Sequence, residues 1–309
     1  MENAESVKEI VREKYGQLAR EGGSCCGPTN CCGPSNGESS FVDFSEDYSM
    51  RQGYVADADL GLGCGIPTDA ADLKEGQSVL DLGSGAGNDV FVARSLVGET
   101  GRVIGVDMTA DMIKKARENL AKVGFGNVEF RLGEIEALPV ETGSMDRVIS
   151  NCVLNLVPDK RKAFAEIHRV LKPGGRFGIS DVVLDGEFPE ALRKAAEMYV
   201  GCVSGAIGKG EYLELLAKTG FVDVTVSREK VISIPDDLLA AYLTAEERKI
   251  LTASGVRVLS VTVSGTRAGN ADEAVAKAEG ASVADQSTMG QCCTPASIGK
   301  HRSMGASCC

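Results

Sequence analysis

Two groups of residues in this chain have types and spacings suited to chemistry: a glycine loop with a distant acid, and a set of cysteines. The run Val79-Leu80-Asp81-Leu82 leads directly into Gly83-Ser84-Gly85-Ala86-Gly87. Glycines at alternate positions let the backbone turn sharply and let a ligand approach the main chain closely. A helix that opens just after such a loop points its first N–H groups at that ligand. A second apolar run, Val103-Ile104-Gly105-Val106, ends in Asp107, 20 residues beyond Gly87. At that spacing a carboxylate reaches the two hydroxyls of a ribose. A lone glycine loop is a weak signal, but the loop and the acid together specify a nucleoside-containing ligand. Dinucleotide folds use G-x-G-x-x-G, whereas here the spacing is G-x-G-x-G with Asp81 two residues ahead of it.

The chain contains 11 Cys. Eight of them form adjacent pairs at Cys25/Cys26, Cys31/Cys32, Cys292/Cys293 and Cys308/Cys309. The first two pairs belong to a short repeat, Cys25-Cys26-Gly27-Pro28 and Cys31-Cys32-Gly33-Pro34. Adjacent cysteines suit a zinc knuckle poorly, because its ligands are spaced C-x₂₋₄-C. They read as mobile thiol arms or, at the C-terminus, equally well as a tail without a role. The three remaining cysteines stand alone. Cys64 lies between Gly63 and Gly65, and Cys202 lies between Gly201 and Val203-Ser204-Gly205. Glycine neighbours are expected to leave these thiols accessible. Cys152 follows the apolar run Met145 to Ser150, at the strand end where α/β folds bind ligands. A plain buried cysteine is the competing reading there. Three reduced thiols can converge on one soft centre, although positions 64, 152 and 202 are too far apart for spacing to prove it. The 2 His exclude a His-rich metal site, and His168 reads as a surface or packing residue of a helix.

The elements that must position these residues follow from periodicity. Apolar strands are expected at 78–82, 102–107, 128–132, 145–150 and 176–183, with helices at about 89–97, 110–123 and 159–171 between them. This β-α-β-α order implies an α/β fold: a mostly parallel twisted sheet with helices on both faces. Ahead of it, Ser6, Val7, Ile10, Val11, Tyr15 and Leu18 have the three-and-four spacing of a helix. Beyond it, residues 187–220 read as helical with a glycine-rich break at 201–210. Residues 222–226 and 256–266 read as strands, with a helix over 235–251 between them. The expected organisation is an N-terminal helix and Cys-rich loop (1–47), a nucleoside-binding domain (48–185), an insertion with the last strands (186–268) and a flexible Cys-containing tail (269–309).

Composition narrows the partners. A net charge of −11 repels phosphate backbones, so no nucleic-acid partner is expected. No run reaches the length of a membrane span, and residues 1–14 lack the basic start and apolar centre of a signal peptide. A cytoplasmic location with reduced thiols is the expectation.

Residues 76–184 resemble the class I S-adenosylmethionine-dependent methyltransferases. Asp81-Leu82-Gly83-Ser84-Gly85-Ala86-Gly87 matches their first motif, and Gly105-Val106-Asp107-Met108 matches the ribose-binding acid. Leu171-Lys172-Pro173-Gly174-Gly175 matches the turn before their fifth strand. The resemblance implies a Rossmann-like sheet whose last strand is antiparallel. It also implies a cofactor site made by Asp81, Gly83, Ser84, Gly85, Gly87, Asp107, Met108, Glu134, Ile135 and Asn151, with Gly133-Glu134-Ile135 beside the adenine.

A narrower resemblance spans residues 6–268. Gly61-Leu62-Gly63-Cys64-Gly65, Ser150-Asn151-Cys152-Val153-Leu154-Asn155-Leu156 and Tyr199-Val200-Gly201-Cys202-Val203-Ser204-Gly205 look like the three cysteine motifs of arsenite S-adenosylmethionine methyltransferases. The resemblance implies that Cys64, Cys152 and Cys202 bind As(III), joined by one of Cys25, Cys26, Cys31 or Cys32. The implied substrate is arsenite or its thiol conjugates, and the implied co-substrate is a thiol reductant, glutathione or thioredoxin. Some members carry a Tyr near the sulfonium where Leu62 stands here, so Tyr48 or Tyr54 is the candidate for that packing. Soft, thiophilic As(III) suits thiolates better than His or carboxylate. Its lone pair carries no proton, so alignment rather than a general base is what the reaction needs.

Two rivals stand beside this reading. A C- or O-methyltransferase of a quinone-like molecule would share the cofactor half but would need an apolar pocket and usually a base. A non-catalytic metalloid-binding protein would have no use for the glycine loop. If the C-terminal cysteines capture arsenic, removing residues 270–309 lowers arsenic binding at low concentration, measured by equilibrium dialysis. Unchanged binding would assign that tail no such role.

Overall fold

The computed structural model describes residues 4–21, 46–186, 205–233, 239–240 and 243–269. The expected thiol-arm residues Cys25, Cys26, Cys31 and Cys32, the site candidate Cys202, the helical reading of 187–204 and the tail beyond 269 lie outside the described residues.

The α/β alternation read from the sequence is present. The strands are β1 (Ser78–Leu82), β2 (Arg102–Asp107), β3 (Val128–Leu132), β4 (Met145–Asn151), β5 (Leu171–Asp185), β6 (Phe221–Ile232) and β7 (Arg257–Arg267). The helices are α1 (Ala4–Glu21), α2 (Pro67–Ala71), α3 (Asn88–Val97), α4 (Ala110–Val123), α5 (Lys160–Val170), α6 (Lys209–Lys218) and α7 (Ala245–Ser254). One sheet runs in the order β3-β2-β1-β4-β5-β7-β6. Its first five strands pair in parallel, and β7 is antiparallel to both β5 and β6. This is the Rossmann-like fold of class I methyltransferases, with the antiparallel strand that the resemblance implied.

Strands buried on both faces must be apolar throughout. Leu80, Leu82, Val103, Ile104, Val106, Val148 and Ile149 are buried accordingly. Two cores result. One packs β1, β4, β5 and β7 against α5 and α6 through Phe164, Ile167, Phe177, Tyr212 and Leu216. The other packs β1 and β2 against α3 and α4 through Val90, Phe91, Ile113 and Ala116. His168 sits edge-on to Phe221, with ring centroids 5.3 Å apart, in a packing role.

β5 is longer than the apolar run suggested. It begins at Leu171, which pairs with Met145, and its next pair is Arg176 with Arg147. The intervening Pro173-Gly174-Gly175 bulges out, with Gly174 at φ +76, so the turn residues interrupt the register without ending the strand. No helix among the described residues is long and apolar enough to cross a membrane.

Phe177 is fully buried and lies edge-on to Phe221 at 4.8 Å. Phe177→Ala is expected to cost about 3–5 kcal/mol, as for other buried aromatic truncations. Chemical denaturation measures it, and a loss below about 1 kcal/mol would mean that this core collapses to fill the gap.

Candidate active site

The strand-helix alternation brings the glycine loop, Asp107 and the ends of β3 and β4 to one edge of the sheet, where a deep crevice opens. Every residue of the expected cofactor set lines it except Gly87. Gly87 instead caps α3 at φ +103, and a Cβ there would press on the Phe91 and Phe130 rings at 2.9 Å. Gly85, at φ +51, has only Met112 at the limit of contact around its Cβ position, so its backbone faces open crevice. The loop is held by Asp107, whose Oδ2 accepts the Gly85 N–H at 3.0 Å and whose Oδ1 accepts the Thr109 N–H at 2.8 Å.

The electrostatics suit a cation. Asp81, Asp89 and Asp107 all border the crevice and all have pKa values raised above the usual carboxylate range. Burial is the main cause in each. Asp81 is pushed further by the charges of Asp89 and Asp107. Asp89 is held to about 6 because the Asn151 and Tyr48 hydrogen bonds favour its charged form. Ser84 Oγ and Asn88 Oδ1 are buried without a hydrogen-bond partner, and both residues line the crevice. Unspent polar atoms beside clustered carboxyls fit a polar, positively charged nucleoside such as S-adenosylmethionine.

Asn151 joins this half to the cysteines. Its Nδ2 lies 2.9 Å from the Gly65 carbonyl and 3.0 Å from Asp89 Oδ2, and its Oδ1 accepts the Cys64 N–H at 3.0 Å. The Tyr48 hydroxyl lies 2.7 Å from Asp89 Oδ1 and 2.9 Å from the Gly65 carbonyl. The Cys64 carbonyl accepts from Ser260 Oγ at 2.7 Å, which fixes this loop against β7. Cys152, the next residue after Asn151, lines the crevice with a left-handed backbone, φ +59. That conformation is costly for a residue with a side chain, and its N–H donates to the Ser180 carbonyl at 2.7 Å. Both cysteines also act on one buried hydroxyl. Tyr212 Oη lies 3.3 Å from Asp181 Oδ2. Its pKa is raised by burial first and by Asp181 next, and Cys64 and Cys152 push in the same direction.

The glycines beside Cys64 do not expose it. Cys64 and Cys152 are 4% and 6% exposed, and neither is in a disulfide. A Cβ on Gly63 would meet Asn151 at 2.6 Å, and one on Gly65 would meet Ser180 at 2.4 Å. These glycines therefore let the loop press onto the sheet, which corrects the expectation of an accessible thiol. Two described cysteines make no cluster of three metal-ligating side chains, and none occurs among the described residues. Tyr54 packs with Tyr48, Ile66 and Val92, while only Tyr48 of the two candidate tyrosines borders the crevice. Sequence reading missed Asp89, whose partners Tyr48 and Asn151 lie 41 and 62 residues away. It also missed Lys8, Val11 and Tyr15 of α1, which line the crevice as well.

Raised carboxyl pKa values carry a stability consequence. Asp89 and Asp181 titrate near 6 and 7 in the fold, against 3.8 unperturbed. Burial is the leading cause for both. The folded state thus holds these protons more tightly than the unfolded chain, and the associated stability is lost as pH rises through 6–7. The melting temperature of the ligand-free protein is expected to fall between about pH 4 and pH 7. A flat or rising profile in scanning calorimetry would contradict the burial of these acids.

Comparison with known proteins agrees with this geometry. Residues 73–220 match the family model described as a methyltransferase domain. An arsenite methyltransferase of Halobacterium salinarum is 46% identical over 231 residues, which cover 72% of this chain and 59% of that protein. One from Aquipseudomonas alcaligenes is 42% identical, covering 59% of this chain and 54% of that protein. The chain thus spans little more than half the length of these curated relatives. The crystal structure of an arsenic(III) S-adenosylmethionine methyltransferase from Chlamydomonas reinhardtii superposes with a TM-score of 0.56 at 39% identity, over 65% of this chain and 66% of that one. On its fold, its motifs and these similarities, residues 73–220 form a methyltransferase domain with the fold of class I S-adenosylmethionine-dependent methyltransferases, and the chain is similar to proteins named arsenite methyltransferases.

Proposed function

We propose that this protein methylates trivalent arsenic, with arsenite or its thiol conjugates as substrate. The observation that carries the reading is the place of Cys152: a thiol held in a strained backbone conformation, in the same crevice as the glycine loop, with Cys64 tied to its neighbour Asn151. When bound, S-adenosylmethionine supplies an electrophilic methyl group on a cationic sulfonium. Asp107 is the residue to hold the ribose, and Asp81 and Asp89 supply negative charge toward the cationic end. Cys64 and Cys152 hold the arsenic as thiolates, and Cys202 is the candidate third sulfur by similarity. A cytoplasmic, reducing compartment keeps these thiols available.

The residues divide the work by chemistry. Thiolates displace hydroxide from As(III) because both partners are soft. The chain then needs only to aim the arsenic lone pair at the methyl carbon, since no proton leaves the nucleophile. Such positioning supplies up to about 7–11 kcal/mol in favourable cases. Arsenic loses two electrons formally as the new carbon bond forms, and a thiol reductant of the glutathione or thioredoxin type is the co-substrate that returns them. A base-assisted ring methyltransferase fits the same crevice less well, because two thiols next to it would then have no task.

Cys152→Ser should abolish arsenite-dependent formation of S-adenosylhomocysteine while leaving S-adenosylmethionine binding within about twofold. Asp107→Ala should do the reverse first, raising the KM for the donor by about tenfold or more, as expected for a lost charge-assisted contact. Full arsenic methylation by Cys152→Ser, or methylation of a quinone without arsenite, would overturn the reading.

A further inference from the structure

α1 is the first described helix, and its docked face is rotated away from one member of its apolar stripe. Ile10 is 58% exposed, although its spacing with Val7 and Val11 suggested a core position. The face that docks carries Lys8, Val11, Arg12, Tyr15, Gly16 and Ala19, with one-turn spacings along one side. The helix is anchored at both ends. Near its C-terminus, Arg20 pairs with Asp111, Lys115 Nζ lies 3.3 Å from the Ala19 carbonyl, and Gly16 allows close approach to Asp111 of α4. Near its N-terminus, Lys8 Nζ lies 2.7 Å from Glu134 and 2.5 Å from Glu136, and Arg12 Nη2 lies 2.6 Å from Glu134.

Between these anchors α1 spans the crevice. Val11 and Tyr15 line it together with Asp107, Met108 and Ile135. The ion pairs that hold this span are not loose surface contacts. The Lys8 and Glu136 side chains are 13% and 11% exposed, and Glu134 is shared by two cations. Both Lys8 and Glu134 are shifted toward their charged forms despite burial, by the hydrogen bonds between them and with their neighbours. Partly buried, shared ion pairs resist screening better than exposed single pairs.

We propose that α1 is a wall of the nucleoside pocket: Val11 and Tyr15 enclose the adenosine end of S-adenosylmethionine, and Lys8 and Arg12, locked onto Glu134 and Glu136, hold the wall closed. The inference rests on the methyl-donor reading of the crevice and adds residues that the motifs do not contain. It assigns Glu134 the role of a positioning residue, whose carboxylate grips α1 while its backbone borders the pocket. The wall also excludes water from the nucleoside, so its loss acts on donor affinity and leaves arsenic capture untouched.

Isothermal titration of the full chain with S-adenosylmethionine, and separately with S-adenosylhomocysteine, tests it. The double variant Lys8→Ala/Arg12→Ala is expected to bind both about tenfold or more weakly. Tyr15→Ala, which keeps every ion pair, is expected to weaken both as well. Glu9→Ala, on the exposed face of α1, is expected to match the native chain. Thermal melts without ligand confirm that each variant is folded before titration. Native affinity in both Lys8→Ala/Arg12→Ala and Tyr15→Ala would overturn the wall, as would equal weakening in Glu9→Ala. Failure of the native chain to bind either nucleoside would instead overturn the methyl-donor reading itself.

Discussion

The site hangs on one side-chain amide. Asn151 ends β4 and reaches the Cys64 N–H, the Gly65 carbonyl and the Asp89 carboxyl at once. An amide has two donors and two acceptor lone pairs, so few other side chains could meet these demands in one place. A partly buried polar group with this many partners fixes a single geometry when all of them are present. Here that geometry sets the cysteine loop, the glycine-loop helix and the Cys152 backbone relative to one another. The strained φ of Cys152 is tolerable because the residues on both sides are already pinned.

The same constraint separates the two chemistries of the crevice. Carboxyls cluster on the β1–β2 side, where burial keeps them poised to receive positive charge. Cys152 borders the crevice just past the end of β4, and Asn151 ties the Cys64 loop to that end. On the proposed reading, a cationic methyl donor and a soft, thiophilic acceptor meet at the end of β4. On that reading, a fold shared by many methyltransferases is turned to a metalloid by loop residues, not by the sheet.

Much of this was legible in the sequence because it is local. The glycine loop, Asp107 and the apolar strands declare themselves by period and spacing, since strands covered on both faces have few alternatives to Val, Ile and Leu. Gly63 and Gly65 were visible but misread, because a glycine allows close packing as readily as it allows exposure. Asp89 and Tyr48 form their bond across 41 residues, which no local pattern encodes. The docking of α1 was only partly legible: Val11 and Tyr15 follow its apolar stripe, but its ion-pair anchors are Lys8 and Arg12, residues that periodicity assigns to solvent. Tertiary ion pairs of this sort add to the amphipathic stripe and shift it enough to leave Ile10 exposed.

Arsenic X-ray absorption spectroscopy on the full chain loaded with arsenite addresses the central claim at the reacting atom. The account predicts a first coordination shell of sulfur alone, with one sulfur lost in Cys64→Ser and one in Cys152→Ser. An oxygen-coordinated arsenic in the native chain, or a spectrum that neither substitution changes, would contradict it.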